Sequence, residues 1–169
     1  MFLYRLGKTE YIRDLQGEGC LYGDGRWHLQ GTRVLYTSGS ASLAKLEVLA
    51  NSPVLPKGRS LMTMRIPENT PMLRVEADQL PVAWAAYPYH ALLPMIARDW
   101  IDQGEFWVMR VPSAQLPIEY NYLLNPLHPD HHTLVVESIV PHPFDPRLKE
   151  EKPTRKKRPP KRKPDLGLN

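Results

Sequence analysis

The chain has 169 residues, of which 42% are hydrophobic and 24% charged, a balance typical of one soluble globular domain. Eighteen prolines are about twice the usual share of roughly 5%, which argues against long coiled coils and helical repeats. The single cysteine, Cys20, excludes an intrachain disulfide and a multi-cysteine zinc site. No apolar stretch reaches the roughly 20 residues that span a bilayer, and the amino terminus does not resemble a secretion signal. We therefore expect a cytoplasmic protein with no membrane contact.

The formal net charge of +4 is concentrated at the carboxyl end. Residues 149–169 carry nine Lys and Arg against three acids, which leaves residues 1–148 with a net charge of −2. This proline-rich segment has too few apolar residues to offset the entropy of ordering, so we predict a disordered basic tail. Such a tail can hold nucleic acid or an acidic protein surface, although a solvated extension is the simpler interpretation.

The amino-terminal half predicts the order strand, loop, strand, helix. Alternating apolar residues indicate a strand over residues 2–6, whereas residues 7–24 are too polar and glycine-rich for a regular element. Residues 33–37 have the β-branched and aromatic content of a strand. Residues 38–40 then supply a turn and an N-cap hydroxyl for a helix over residues 41–50.

The carboxyl-terminal half predicts one helix and three strands. The strands are expected over residues 62–66, 105–111 and 134–140, and the helix within residues 91–102. Pro94 fits this helix only in its first turn. No internal repeat is visible, and the strands do not alternate with long helices. We therefore predict a single compact α+β domain over residues 1–148, followed by the tail.

Glu47 lies on the apolar face of the first predicted helix. Leu43, Leu46, Glu47 and Ala50 recur at the spacing that places side chains on one helical face. A buried carboxylate is costly unless a donor or a cation is nearby. Glu47 therefore either has a partner in a cleft or lies at the rim, with its stem packed and its carboxylate in water.

Two further segments contain candidate site residues. Gly25-Arg26-Trp27 places a guanidinium beside an indole, which suits an anionic, planar ligand. Alternatively, Arg26 binds loop carbonyls while Trp27 fills the core. Ser113 follows a predicted strand, where functional sites often lie, although a serine in this position is usually a turn former.

Metal, nucleotide and serine hydrolase motifs are not found. We interpret His128, His131 and His132 as surface histidines, because their flanks are proline-rich and no cysteine accompanies them, and we predict no metal site. The glycines of residues 17–25 match neither a P-loop nor a dinucleotide fingerprint. Residues 38–40 do not form the Gly-x-Ser-x-Gly turn of a serine hydrolase.

A series of six motifs resembles the RES domain family over residues 1–148. The motifs, in chain order, are Arg5, Gly25-Arg26-Trp27, residues 34–38, Leu46-Glu47-Val48-Leu49, Val111-Pro112-Ser113-Ala114 and residues 121–129, and residues 144–148 look like the family's usual end. The family is named for an arginine, a glutamate and a serine, which by position look like Arg26, Glu47 and Ser113.

The resemblance implies a function. Family members are typically toxins of bacterial toxin–antitoxin pairs, with a fold similar to ADP-ribosyltransferases, and they consume NAD+. It therefore implies a type II toxin that depletes NAD+ by cleaving the nicotinamide–ribose bond, with water or phosphate as acceptor. The alternatives are a protein ADP-ribosyltransferase and a non-catalytic binding module with a nucleic-acid-binding tail. The implied partners are a helix-turn-helix antitoxin of the Xre type and, through it, operator DNA, and a homodimer is left open.

The resemblance also assigns roles in the reaction. Glu47 would stabilise the positive charge that develops on the sugar. Arg26 would bind the pyrophosphate with two donors. Tyr36 would stack on nicotinamide or orient the ribose, unless it serves core packing alone. Ser113 would hydrogen bond to the ribose or the nicotinamide amide.

Three other residues complete the expected NAD+ site. Trp27 would border the ligand beside Arg26. Asn125 would either orient the glutamate or cap a loop. Arg5 would be either structural or a second phosphate contact.

Overall fold

The computed structural model describes residues 1–149, which form a seven-stranded sheet and two α-helices. The sheet order is β4-β5-β6-β2-β1-β3-β7. The strands are β1 (Phe2–Lys8), β2 (Leu35–Ser38), β3 (Arg59–Arg65), β4 (Met72–Arg74), β5 (Val108–Pro112), β6 (Tyr120–Leu124) and β7 (Val135–Pro141), and the helices are α1 (Ala41–Ala50) and α2 (Leu92–Gln103). Neighbouring strands are antiparallel except β4 and β5, which are parallel. The predicted α+β class is confirmed.

Both helices begin where local signals predict. The Ser40 hydroxyl accepts a hydrogen bond from the Leu43 amide at 3.1 Å and so caps α1. Helix α2 starts at Leu92, which places Pro94 in the first turn, where its missing N–H has no intrahelical partner to lose. Within residues 1–149, neither helix is long and apolar enough to cross a membrane.

Two strands were not predicted, β4 and β6. Strand β4 has three residues, too few to show a period. Strand β6 lies between β5 and β2, and its residues Leu123 and Leu124 are both buried although they point to opposite faces. A strand that is covered on both faces does not alternate apolar with polar residues, which is why the pattern failed there.

Both helices pack on one face of the sheet. Apolar residues of α2 share a core cluster with residues of β5 and β6: Leu93, Ala97, Trp100, Met109, Val111 and Leu123. Ala44 of α1 packs with Leu6 of β1 and with Phe144. The other face has its own cluster, which includes Leu3, Leu35, Met62, Val108, Leu124 and the loop residue Ile12.

The strand register gathers polar side chains on the helix side. Ser38 of β2 pairs with Tyr4 of β1 and with Asn121 of β6. Directly opposed residues share a face of the sheet, so these three side chains form a row. This row lies on the face that carries α1.

Of the predicted tail, the structure describes Lys149. Its Nζ donates to the Leu49 carbonyl at 2.9 Å, in the last turn of α1, and to the carbonyl of Ser52, two residues beyond the helix. Residues 150–169 lie outside the described residues, so the expected disorder stays a prediction.

His131 is buried, which corrects the prediction that all three histidines of this segment lie at the surface. It is 9% exposed, and its Nδ1 accepts a hydrogen bond from Trp107 Nε1–H at 3.1 Å. Its Nε2 lies 3.0 Å from the Leu15 carbonyl, which can only accept, so Nε2 carries the hydrogen. The bond at Nδ1 needs the neutral ring, because a protonated Nδ1 cannot accept. Burial lowers the pKa of His131, and the bond to the Leu15 carbonyl opposes that shift.

The stability of the protein should therefore fall as the pH drops below about 6.5, because the unfolded state binds a proton that folded His131 does not. The expected slope is at most about 1.4 kcal/mol per pH unit for this histidine, down to its lowered pKa. Urea unfolding between about pH 7.5 and pH 5.5 measures it. His131→Asn keeps an acceptor near Nδ1 and cannot titrate there, so it should lose less stability. The exposed His132→Asn should follow the wild type, and identical curves for all three proteins would contradict the assignment.

Candidate functional site

A cavity of about 300 Å3 opens on the helix side of the sheet. Its wall includes five of the residues expected in the NAD+ site: Arg5, Arg26, Trp27, Tyr36 and Glu47. The polar row of Tyr4, Ser38 and Asn121 also borders it. Residues as far apart in the chain as Tyr4 and Asn121 thus meet at one opening.

Glu47 reaches the cavity because the buried stripe of α1 differs from the predicted one. Leu43 and Ala44 are buried, whereas Leu46 is 38% exposed and Ala50 is exposed. Two of the four residues predicted to form the apolar face of this helix, Leu46 and Ala50, are therefore exposed, and the prediction is wrong for them. Glu47 follows the two buried residues by one helical turn and so points toward the polar row on the sheet.

One carboxylate oxygen of Glu47 is fixed by two donors. Oε1 accepts hydrogen bonds from Ser113 Oγ at 2.7 Å and from Asn121 Nδ2 at 2.6 Å. Within residues 1–149, no hydrogen bond to Oε2 is present, and the side chain borders the cavity. Glu47 therefore has the partners expected of a glutamate in a cleft, and it keeps one oxygen for a ligand.

Ser113 contacts the glutamate rather than the cavity. The residue is fully buried, and its Oγ accepts hydrogen bonds from the Gln115 amide at 3.1 Å and the Leu116 amide at 3.2 Å while donating to Glu47. A hydroxyl has one donor and two acceptor sites, so all three are in use. In this arrangement the Ser113 hydroxyl has no capacity left for the expected bond to the ribose or the amide, and its side-chain partner is Glu47.

Asn121 contacts Glu47 and borders the cavity, although the sequence analysis did not single it out as a candidate site residue. Its Nδ2 donates to Glu47, and its Oδ1 accepts from Ser38 Oγ at 2.7 Å, which fixes the orientation of the amide. Asn125, by contrast, caps a loop: its Oδ1 accepts from the Leu127 amide at 3.0 Å beyond the other end of β6. If β6 had been recognised as the strand beside β2, the pairing of the two strands would have placed Asn121 opposite Ser38.

Arg26 is held by carbonyls of the segment that precedes α2. Nη1 donates to Trp84 at 2.5 Å and Ala86 at 3.2 Å, and Nη2 donates to Ala85 at 3.2 Å. Its guanidinium carbon lies 4.7 Å from the centre of the Tyr89 ring. These contacts match the alternative in which Arg26 binds loop carbonyls, but they use three of its five N–H donors. Among the described contacts, two N–H donors of Arg26 have no partner, and the side chain borders the cavity.

Trp27 and Tyr36 form an aromatic wall. Trp27 is 3% exposed and belongs to the core cluster, as the packing alternative predicted, yet it also borders the cavity. The Tyr36 hydroxyl lies 2.7 Å from His28 Nδ1 and accepts from the Trp27 amide at 3.3 Å. Burial raises the pKa of Tyr36, so its hydroxyl stays protonated, and the residue also borders the cavity.

Arg5 has structural contacts. Nη1 donates to the Ile12 carbonyl at 3.4 Å and to the Asp14 carbonyl, which ties the loop after β1 to the sheet. Burial lowers the pKa of Arg5, and the Asp14 charge opposes that shift. Its side chain also borders the cavity, so a second phosphate contact stays a prediction.

Several known proteins are similar to this chain. The RES domain family matches residues 2–145. The Prs ADP-ribosylating toxin of Sphingobium sp. (strain YBL2) is 32% identical over 145 residues, which are 83% of this chain and 90% of that protein. A Toxin Res of Photorhabdus laumondii is 36% identical over 139 residues, or 80% and 88% of the two chains. A chain in the crystal structure of the M. tuberculosis MbcT-MbcA toxin-antitoxin complex has a similar fold, with a TM-score of 0.67 and 16% identity over 84% of each chain.

Proposed function

This chain belongs to the RES domain family, and from that premise we propose that it is the toxin of a toxin–antitoxin pair and depletes NAD+ by breaking the nicotinamide–ribose bond. The observation that carries the proposal is the Glu47 carboxylate. Ser113 and Asn121 hold one of its oxygens, and the other has no described partner at the cavity.

The reaction needs a negative charge beside the sugar. When nicotinamide leaves, positive charge develops on the ribose in an oxocarbenium-like state. A carboxylate that two donors already hold does not have to reorganise as this charge appears, and such preorganised charge is the largest contribution in many enzymes. Oε2 of Glu47 is the atom that we assign to this role.

The cavity suits one half of the dinucleotide. Its volume of about 300 Å3 is at the lower end of the usual range of about 300–1000 Å3 for small-molecule sites. We assign the nicotinamide riboside half to the cavity, against the Tyr36 ring, and the pyrophosphate to the two remaining donors of Arg26. The rest of NAD+ would extend over the open mouth.

The acceptor of the ADP-ribose group distinguishes two candidate activities. We favour water or inorganic phosphate, because no docking surface for a target protein is identified. Protein ADP-ribosylation is the second candidate, and the name of the Sphingobium relative as an ADP-ribosylating toxin supports it. A non-catalytic binding module with a nucleic-acid-binding tail is a third candidate, which the joint placement of Arg26, Glu47 and Ser113 disfavours.

Product analysis tests the proposal. The purified chain, freed of any antitoxin, is incubated with NAD+ in the presence and absence of phosphate, and the products are identified by mass. Released nicotinamide with free ADP-ribose indicates water as acceptor, and ADP-ribose phosphate indicates phosphate. Nicotinamide with ADP-ribose attached to protein indicates the second candidate. No nicotinamide under any of these conditions would overturn the NAD+ reaction.

We also propose an antitoxin as the protein partner, of the helix-turn-helix, Xre type, that would bind operator DNA in the cytoplasm. Relatives named as toxins and the fold shared with a chain of a toxin–antitoxin complex support this partner. Light scattering of the chain alone and with its antitoxin measures the stoichiometry and tests for a homodimer.

Asn121→Leu should lower the rate of nicotinamide release by about 10–100-fold, because a misplaced catalytic group can cost about that much. The two side chains have similar shapes, but leucine cannot donate to Glu47, which then has Ser113 as its one described donor. Initial rates measure the effect. Asn69→Leu at an exposed position is the matched control and should keep the wild-type rate. A wild-type rate for Asn121→Leu would contradict the supporting role.

A further inference from the structure

We propose that His28 is a positioning residue, which holds the turn that carries Arg26 by accepting a hydrogen bond from the Tyr36 hydroxyl. The inference rests on the proposed function to the extent that Arg26 binds NAD+. The contact itself can be tested without that function.

The hydrogen-bond partners fix the state of the His28 ring. Nε2 lies 3.0 Å from the Gly23 carbonyl, which can only accept, so Nε2 carries the ring hydrogen. In the neutral ring Nδ1 then has a lone pair, and the Tyr36 hydroxyl at 2.7 Å donates to it. The Tyr36 oxygen in turn accepts from the Trp27 amide at 3.3 Å. Strand β2 is thereby bonded to the residues that follow Arg26.

The turn around Arg26 is shaped to receive this ring. The Gly25 amide donates to the His28 carbonyl at 2.9 Å and closes the turn over residues 25–28. A Cβ on Gly25 would overlap the His28 ring and would lie 3.2 Å from the Tyr36 oxygen. Glycine is therefore required at this position for the ring to reach Tyr36.

Arg26 is consequently held at both ends. Carbonyls of residues 84–86 hold its guanidinium, and the bond between His28 and Tyr36 holds its backbone turn. If the acceptor on His28 is lost, the turn can separate from β2. The two remaining donors of Arg26 would then no longer be preorganised for an anion, and ligand affinity would fall.

Protonation of His28 should have the same effect as loss of the acceptor. Nδ1 would become a donor, and the Tyr36 hydrogen would have no acceptor among the described residues. Among residues 1–149, two titratable groups are recorded acting on the ring: Asp24 on its own loop and Tyr36 on β2. Burial lowers the pKa of His28, while the bond to Gly23 and the Asp24 charge oppose that shift. Tyr36 itself stays protonated because burial raises its pKa.

The test compares His28→Asn with His28→Leu in the full chain. These side chains have nearly the same shape, but asparagine alone places an acceptor near the position of Nδ1. Amide hydrogen exchange at Gly25 and Trp27 reports the turn, and KM and kcat for NAD+ report the site. His28→Leu should raise the exchange rates and KM by about tenfold with a smaller change in kcat, the size of one lost hydrogen bond. His28→Asn should stay closer to the wild type than to His28→Leu in both readouts.

The pH dependence of KM distinguishes this positioning role from a purely structural one, which would leave it unchanged. The wild-type KM should rise as the pH falls through the lowered pKa of folded His28, which lies below the ordinary value of about 6.5, whereas the KM of His28→Asn should rise less. Wild-type exchange and KM in His28→Leu, or equal effects of the two variants, would overturn the proposal. If the wild type does not consume NAD+, the proposed function fails, but the amide exchange rates still test the role of His28. Faster exchange in His28→Leu alone supports that role, and equal exchange rates in all three proteins overturn it.

Discussion

Glu47→Gln should lower the rate of nicotinamide release by about 100–1000-fold, the range found when a preorganised charge-stabilising group is removed. The glutamine carbonyl can accept the two hydrogen bonds that Ser113 and Asn121 now donate to Oε1. Its neutral NH2 group would then take the place of Oε2. The variant thus keeps the shape and the internal contacts of the site but removes the negative charge beside the sugar.

Initial rates of nicotinamide release, with a thermal unfolding curve for each protein, measure this effect. Glu105→Gln is the matched control, because Glu105 is exposed and lies outside the cavity wall, and it should keep the wild-type rate. A rate for Glu47→Gln within about tenfold of the wild type would contradict the role of the carboxylate, since that is far below the loss expected for a charge-stabilising group.

Arg26→Lys should raise KM for NAD+ by about 10–100-fold and lower the free energy of unfolding by about 1–3 kcal/mol. The arginine spans the carbonyls of residues 84–86 with three N–H donors and keeps two for the pyrophosphate. A lysine has three donors on one nitrogen, which cannot span three carbonyls and bind a phosphate at the same time. Both stability and affinity should therefore fall although the positive charge is kept.

Steady-state kinetics and urea unfolding separate the two roles of Arg26. Arg74→Lys, at an exposed position of β4, is the matched control and should change neither quantity. A loss of stability with an unchanged KM would show that Arg26 binds the segment before α2 and does not bind the ligand. An unchanged KM would thus contradict the pyrophosphate contact directly.

Features that depend on neighbouring residues could be predicted from the sequence. Helix α1 begins and ends as expected, because its N-cap at Ser40 and its helix-forming residues are local signals. The first turn of α2 was placed by Pro94, whose ring fits a helix only near its start. The candidate residues Arg26 and Glu47 were likewise found from short motifs, and both border the cavity.

What the sequence by itself determined is therefore the fold class, most of the strands and helices, and the residue types that meet at the cavity. Tertiary structure alone decided their partners: Ser113 and Asn121 bind Glu47 across 66 and 74 positions of the chain. Tertiary packing also decided that His131 and His28 are buried. It covers both faces of β6, so that strand has no alternation of apolar and polar residues that could be recognised in the sequence. The physical reason is that propensity and periodicity act over a few residues, whereas these contacts depend on which strands the sheet places side by side.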